Sequence, residues 1–256
     1  MSSIHSLDPH PSGSPVVLLL HGLGANSSSW MLQFDSLIAG GFRPIAADAP
    51  GFGASPYDGK GWSIARSAAA MVDLLHELKA GPAHVAGISM GGTIAQQIAL
   101  DFPQMVSRLV LVSTFSILRP TRLSGWFYFL QRFILVHTVG LPTQARFVAA
   151  RIFPGEDQQA MRDLLIEQIR QTDPRAYRAA MRSLGLFNSS KRLGEIKSPT
   201  LVVTGDHDTT VPLPSQHLLV EKIPGARQVF IPNAGHAVTV DQPEPFNKEL
   251  LGFLRG

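Results

Sequence analysis

Two hydrophobic patterns alternate along this chain. Strand-length runs dominated by apolar residues occur at Val16–Leu20, Phe42–Ala47, Val85–Ile88, Val106–Val112, Pro199–Thr204 and Arg227–Ile231. Apolar residues at consecutive positions suit strands covered on both faces, as in a parallel sheet. Between the runs lie segments with helical spacing: Trp30–Ile38 closed by Gly40-Gly41, Thr93–Leu100 ended by Pro103, Ser215–Ile223, and Glu244–Leu254 behind Pro243. The longest is Trp62–Lys79, where Ile64, Ala68, Met71, Val72 and Leu75 form one stripe before the Gly81-Pro82 stop. The serines at 27–29 are expected to cap the first helix. Strand and helix in alternation imply right-handed crossovers, so the expected fold class is α/β with a mostly parallel, doubly wound sheet.

The alternation breaks once. From Ser113 to Ile196 the strand pattern disappears and helical spacing takes over, at Gly125–Val139, Glu156–Gln171 and Pro174–Phe187. Residues 1–112 and 197–256 are therefore expected to form the α/β core, with 113–196 inserted as a helical cap, or lid. The segment Gly125–Val139 is apolar on nearly all sides, with Trp126, Phe127, Phe129 and Phe133 among its residues. An insertion interrupting the core at this place is expected to lie over the mouth of a site and line an apolar pocket, in preference to docking on a membrane surface.

Composition narrows the class without naming a chemistry. With 45% apolar and 16% charged residues in 256, the chain can bury a large core. No 18-residue apolar run free of charge occurs, so no integral membrane segment is expected, and the N-terminus lacks a basic region followed by an apolar stretch of signal-peptide length. The default expectation is a cytoplasmic location. Zero cysteines exclude disulfides, thiolate metal sites and a cysteine nucleophile. Net charge is +3, but residues 113–195 carry twelve Lys/Arg against six Asp/Glu. These arginines are dispersed and match no recognition motif, which favours a solvated helical layer and no nucleic-acid partner.

The candidate chemistry sits at strand ends. Gly87-Ile88-Ser89-Met90-Gly91 joins the Val85–Ile88 run to a helix, the arrangement that holds a serine on a strained turn while small residues let strand and helix approach. Met90 then offers its N–H at a helix N-terminus to a developing oxyanion, and Leu23, after the Val16–Leu20 run, supplies a second such donor. His21 and Asp48 stand beside these loops and are expected to bond loop backbone. Serine needs an imidazole to take its proton and a carboxylate to orient that imidazole. His236 follows the last strand run, and Asp206 and Asp208 follow the one before it. Three adjacent residues rarely converge on one ion, so Asp206-His207-Asp208 is not read as a metal site.

The motifs His21-Gly22-Leu23-Gly24, Asp48-Ala49-Pro50-Gly51-Phe52-Gly53-Ala54-Ser55, Gly87-Ile88-Ser89-Met90-Gly91-Gly92, Gly205-Asp206-His207-Asp208 with Pro212, and Asn233-Ala234-Gly235-His236 resemble, in order, those of the α/β-hydrolase family. That resemblance implies an α/β-hydrolase fold and a triad of Ser89, Asp208 and His236. The spacing of the acid from Gly205 in the family favours Asp208 over Asp206. It further implies an acyl-enzyme mechanism without cofactor or metal, with Leu23 and Met90 as the oxyanion hole. The expected activity is carboxylic ester hydrolysis on a small molecule with an apolar acyl or alcohol group. Trp126, Phe127, Phe129 and Phe133 would then form the substrate pocket. An enol-lactone or carbon–carbon bond hydrolase is the enzymatic alternative, supported by the resemblance of Thr172–Leu193 and Pro199–Val203 to enol-lactonases. A ligand-binding protein on a hydrolase scaffold is the alternative of another class. Composition leaves the oligomeric state open.

Overall fold

A computed structural model describes residues 4–118 and 123–256, apart from the side chains at 123–126, 128, 129, 133 and 135. The chain begins with β1 (Ser6–Leu7) and β2 (Val16–Leu20), then α1 (Met31–Ala39), β3 (Arg43–Ala47), α2 (Ile64–Glu77), β4 (Ala83–Ile88), α3 (Met90–Asp101) and β5 (Val106–Val112). Four helices follow before the next strand: α4 (Leu123–Thr138), α5 (Leu141–Ile152), α6 (Gln159–Gln171) and α7 (Pro174–Leu186). The chain closes with β6 (Thr200–Gly205), α8 (Leu213–Lys222), β7 (Arg227–Ile231), α9 (Val238–Asp241) and α10 (Pro243–Arg255). Among the described residues, no helix is long and apolar enough to cross a membrane.

The strands form one sheet in the order β1-β3-β2-β4-β5-β6-β7, parallel throughout except where β1 pairs antiparallel with β3 at the edge. β2 shows why consecutive apolar residues mean a central strand. Its five residues are all buried, Leu18 and Leu20 on one face against Met71, Leu75, Ile94 and Ile98 of α2 and α3. Val17 and Leu19 face the other way, toward Leu37 of α1 and Phe246, Leu250 and Phe253 of α10. Each strand residue thus chooses a face by its parity, and both faces need a helical layer.

The inserted helices pack on the loops at the C-terminal edge of the sheet. Residues Ile169 and Tyr177 of α6 and α7 crowd Gly24, Ala176 crowds Gly51, and the Asp173 N–H donates to the Gly51 carbonyl at 2.9 Å. At the far end of the layer, Arg151 of α5 donates to the Thr209 carbonyl at 2.6 Å. The two ends of the insertion meet at an antiparallel bridge between Ile117 and Asn188, reinforced by Ser189 N–H on the Ser116 carbonyl at 2.9 Å.

Three local features differ from the pattern-based expectation. The serines at 27–29 form a 3-10 turn, and Asn26 caps it by accepting the Ser28 N–H at 3.0 Å, because an Asn side chain reaches the amide two residues on. Helix α5 was absent from the hydrophobic pattern: its buried face is Leu141, Gln144, Ala145, Val148 and Ala149, too small and too polar to stand out. β1 is two residues long and carries no period at all.

Candidate active site

β4 ends at Ile88 and the chain turns within one residue into α3. Ser89 occupies that turn with φ 53° and ψ −112°, a conformation that costs a non-glycine residue of order 1–3 kcal/mol. Hydrogen bonds on both sides hold it there. The Ser89 N–H donates to the Val112 carbonyl at 3.0 Å, and Thr114 Oγ1 donates to the Ser89 carbonyl at 2.7 Å. Flanking glycines matter through proximity: a Cβ on Gly87 would enter the Gly91 backbone, and one on Gly91 would enter the Leu20 carbonyl at the end of β2. Met90 is the first residue of α3, where helix N–H groups have no intrahelical acceptor.

The loop after β2 runs past this turn. A Cβ placed on Gly22 would lie 3.7 Å from that of Ser89, so the backbone carrying Leu23 passes the serine. His21 braces the loop, as its Nδ1 bonds the Gly22 carbonyl at 2.8 Å and its Nε2 accepts the Ala49 N–H at 3.0 Å. Those partners select the tautomer protonated on Nδ1. Burial lowers the His21 pKa from 6.5, outweighing the Gly22 bond and the Asp48 charge, which favour the cation. Asp48 accepts from Ser27 N–H at 2.6 Å and Ala54 N–H at 2.9 Å, and its Oδ2 lies 2.8 Å from His5 Nδ1. Burial opposes the Asp48 charge, yet these amide donors and His21 hold its pKa below the usual carboxylate value. Both residues are engaged in loop bracing.

The loops after β6 and β7 close the constellation. His236 is buried and its Nδ1 lies 3.1 Å from Asp208 Oδ2, whose side chain is 1% exposed. Asp208 Oδ1 accepts the N–H groups of Thr210 at 2.8 Å and Val211 at 3.0 Å, and Gln216 Nε2 reaches Oδ2 at 3.3 Å. Burial works against the Asp208 charge, but the attraction and hydrogen bond of His236 and the Val211 and Thr210 amides prevail, so its pKa is lowered. An ionised carboxylate on Nδ1 leaves Nε2 as the basic nitrogen. Asp206, by contrast, has a side chain 39% exposed, and His207 beside it is 69% exposed. The two loops are stitched by the His207 N–H on the Ala234 carbonyl at 2.9 Å, and a Cβ on Gly205 would enter the Ala234 and Gly235 carbonyls.

Ser89, Asp208 and His236 therefore lie on loops at one edge of a parallel sheet, at the ends of β4, β6 and β7. Thr114 and Gln216 support the site and were missed from the sequence, since a lone threonine or glutamine carries no motif. Asp241, which accepts the Gly235 N–H at 2.9 Å, was missed for the same reason. Of the four aromatics expected to line a pocket, Phe127 is 69% exposed, and the side chains of Trp126, Phe129 and Phe133 lie outside the described residues. Among the described residues, no three His, Asp or Glu side chains gather in a metal-binding group.

A profile of the alpha/beta hydrolase family matches residues 17–249. A protein of Variovorax paradoxus named carbamate hydrolase RutD is 32% identical over 95% of this chain and 93% of its own length. The 2-hydroxy-6-oxo-6-phenylhexa-2,4-dienoate hydrolase of Burkholderia cepacia is 30% identical over 93% of this chain and 87% of its own. In three dimensions the enol-lactonase of Burkholderia xenovorans superposes with a TM-score of 0.90 over 99% of this chain and 96% of its own; at 23% identity that likeness concerns the fold.

Proposed function

The chain belongs to the α/β-hydrolase family, and from that premise we propose that it is a serine hydrolase cleaving small carboxylic esters with an apolar acyl or alcohol group through an acyl-enzyme. The observation that carries this reading is the buried Asp208–His236 pair at 3.1 Å on the same sheet edge as Ser89, which is held at φ 53° on the strand-to-helix turn. In the proposed reaction His236 Nε2 takes the Ser89 proton as Oγ attacks the carbonyl carbon. The N–H groups of Leu23 and Met90 receive the oxyanion, and His236 passes the proton to the departing alkoxide. A water deprotonated by His236 then attacks the acyl carbon and Ser89 leaves as the alcohol. The inserted helices act as the cap that selects the acyl group, and the reaction needs no metal or cofactor.

A second reading has a specific support of its own. Relatives at 32% and 30% identity carry the names of a carbamate hydrolase and of a hydrolase of a conjugated oxo-acid, so the same triad would serve a carbamate or a carbon–carbon bond. One panel separates these: p-nitrophenyl esters of rising chain length beside lactones, alkyl carbamates and vinylogous diketones, with Ser89 labelling by a fluorophosphonate as the control. Esters turned over fastest, and labelling abolished by Ser89→Ala, support the first reading. A lactone, carbamate or diketone turned over far faster than every ester replaces it. Absence of labelling at Ser89 would refute both.

A further inference from the structure

The Ala234–Gly235 peptide, one residue ahead of His236, is held by a carboxylate outside the proposed triad. Asp241, half-buried on the short helix α9, accepts the Gly235 N–H on Oδ2 at 2.9 Å. Its other oxygen, Oδ1, accepts from Gln158 Nε2 at 3.1 Å. Gln158 sits in the 3-10 turn at 156–158 that leads into α6, eighty-three residues away and inside the inserted layer. It has no freedom to reverse its amide, because its Oε1 accepts the Gly155 N–H at 2.9 Å. The carbonyl of Ile152, at the end of α5, also lies against this peptide, 3.8 Å from where a Cβ on Gly235 would stand. One side chain thus joins the histidine loop to the cap.

The geometry points to Asp241 as a positioning residue that couples the seating of the inserted helices, through Gln158, to the orientation of His236. This rests on the serine-hydrolase reading above. Two lines of argument support coupling over mere bracing. First, a carboxylate with one oxygen on each partner transmits a displacement of either to the other, whereas a loop brace would need only the Gly235 bond. Second, the charge is close enough to matter to the pair: His236 favours the ionised form of Asp241 and Asp208 opposes it. Burial, first, and Asp208 raise the Asp241 pKa above the usual carboxylate range, against the donors Gly235 and Gln158 and the attraction of His236. Gln158 brings no charge, and Arg162 on α6 is committed to the carbonyls of Phe153 and Gly155 at 2.7 and 2.6 Å.

The test measures second-order labelling of Ser89 by a fluorophosphonate, and p-nitrophenyl ester kinetics, in Asp241→Asn, Asp241→Glu, Gln158→Ala and the Asp241→Asn/Gln158→Ala double variant. Asp241→Asn is expected to slow labelling and kcat by about tenfold with KM changed by less than about twofold, the rate equivalent of one charge-assisted hydrogen bond. Asp241→Glu should recover part of the loss. Gln158→Ala is expected to slow labelling about threefold in the parent and not at all in the Asp241→Asn background, the non-additivity that defines a shared path. If the single effects multiply in the double variant, or if Asp241→Asn keeps the parent labelling rate and kcat, the coupling is wrong. Should Asp241→Asn lose its fold, Gln158→Ala alone decides, with an unchanged labelling rate overturning the proposal. Failure of the parent to label at Ser89 would instead overturn the serine-hydrolase reading, and this inference with it.

Discussion

At the scale of single residues, environment separates groups that look equivalent in the sequence. Asp206 and Asp208 are two positions apart, yet one is 39% exposed and the other has a side chain 1% exposed against His236. Asp208→Asn is therefore expected to lower kcat about 10⁴-fold by imposing the wrong imidazole tautomer, while Asp206→Asn stays within about twofold of the parent. Reversed effects in a p-nitrophenyl acetate assay would move the acid to Asp206. His21 likewise differs from His236 in being sealed into a loop, with burial lowering its pKa from 6.5. A depressed value in the folded state means that the neutral form contributes stability in full above 6.5, and that this is lost as pH falls through the folded value. The Tm should fall as pH drops below about 6.5, and His21→Gln, which does not titrate, should flatten that part of the curve. An identical pH slope in the variant would mean that other groups carry it.

At the scale of elements, the junction of β4 and α3 is the most constrained piece of the fold. Strand and helix meet where Gly87 faces the Gly91 backbone and Gly91 faces the Leu20 carbonyl, so any Cβ there displaces main chain. Gly91→Ala should destabilise the protein by about 1–3 kcal/mol, read as a lower urea midpoint, and should reduce labelling of Ser89 by displacing the turn. A parent-like midpoint and rate would show that the junction yields. Helix α4 has a different character: Phe127, Leu130 and Ile134, at i, i+3 and i+7, are 69%, 54% and 48% exposed. Phe127→Ala is accordingly expected to leave the hexanoate-to-acetate ratio of kcat/KM within about twofold, since an exposed ring has little apolar contact to lose. A tenfold fall would put Phe127 in the acyl pocket.

At the scale of the whole molecule, the inserted layer and the core share one apolar cluster. Val136, Leu141, Ala145, Val148, Ile169, Ala176 and Tyr177 of the inserted helices pack in the same group as Leu18, Leu20, Val85 and Leu109 of the sheet. The bridge between Ile117 and Asn188 pins both ends of the insertion at its base. A continuous cluster with tied ends favours a single cooperative transition over separate melting of the inserted helices and the sheet. Urea unfolding followed by near-UV and far-UV circular dichroism should give coincident curves. Two resolved midpoints would mean that the layer is independently stable.

How much of this was legible beforehand follows from where each signal resides. The sheet was readable because consecutive apolar residues such as Val16–Leu20 have no other economical fold than a strand covered on both faces. The serine turn was readable because its constraint is local: glycines stand where strand and helix nearly touch. Helix α5 was not, since its buried face mixes only Leu141 and Val148 with two alanines and Gln144, an apolar stripe too weak to register. The remaining parts are decided by approach in space between residues far apart in the chain. The burial that distinguishes Asp208 from Asp206, the support of Ser89 by Thr114, and the link from Gln158 through Asp241 to the Gly235 N–H all depend on which loops the parallel sheet brings to one edge. A one-dimensional pattern encodes the period of each element, whereas the distances between elements are fixed only when both faces of the sheet and the inserted layer have packed.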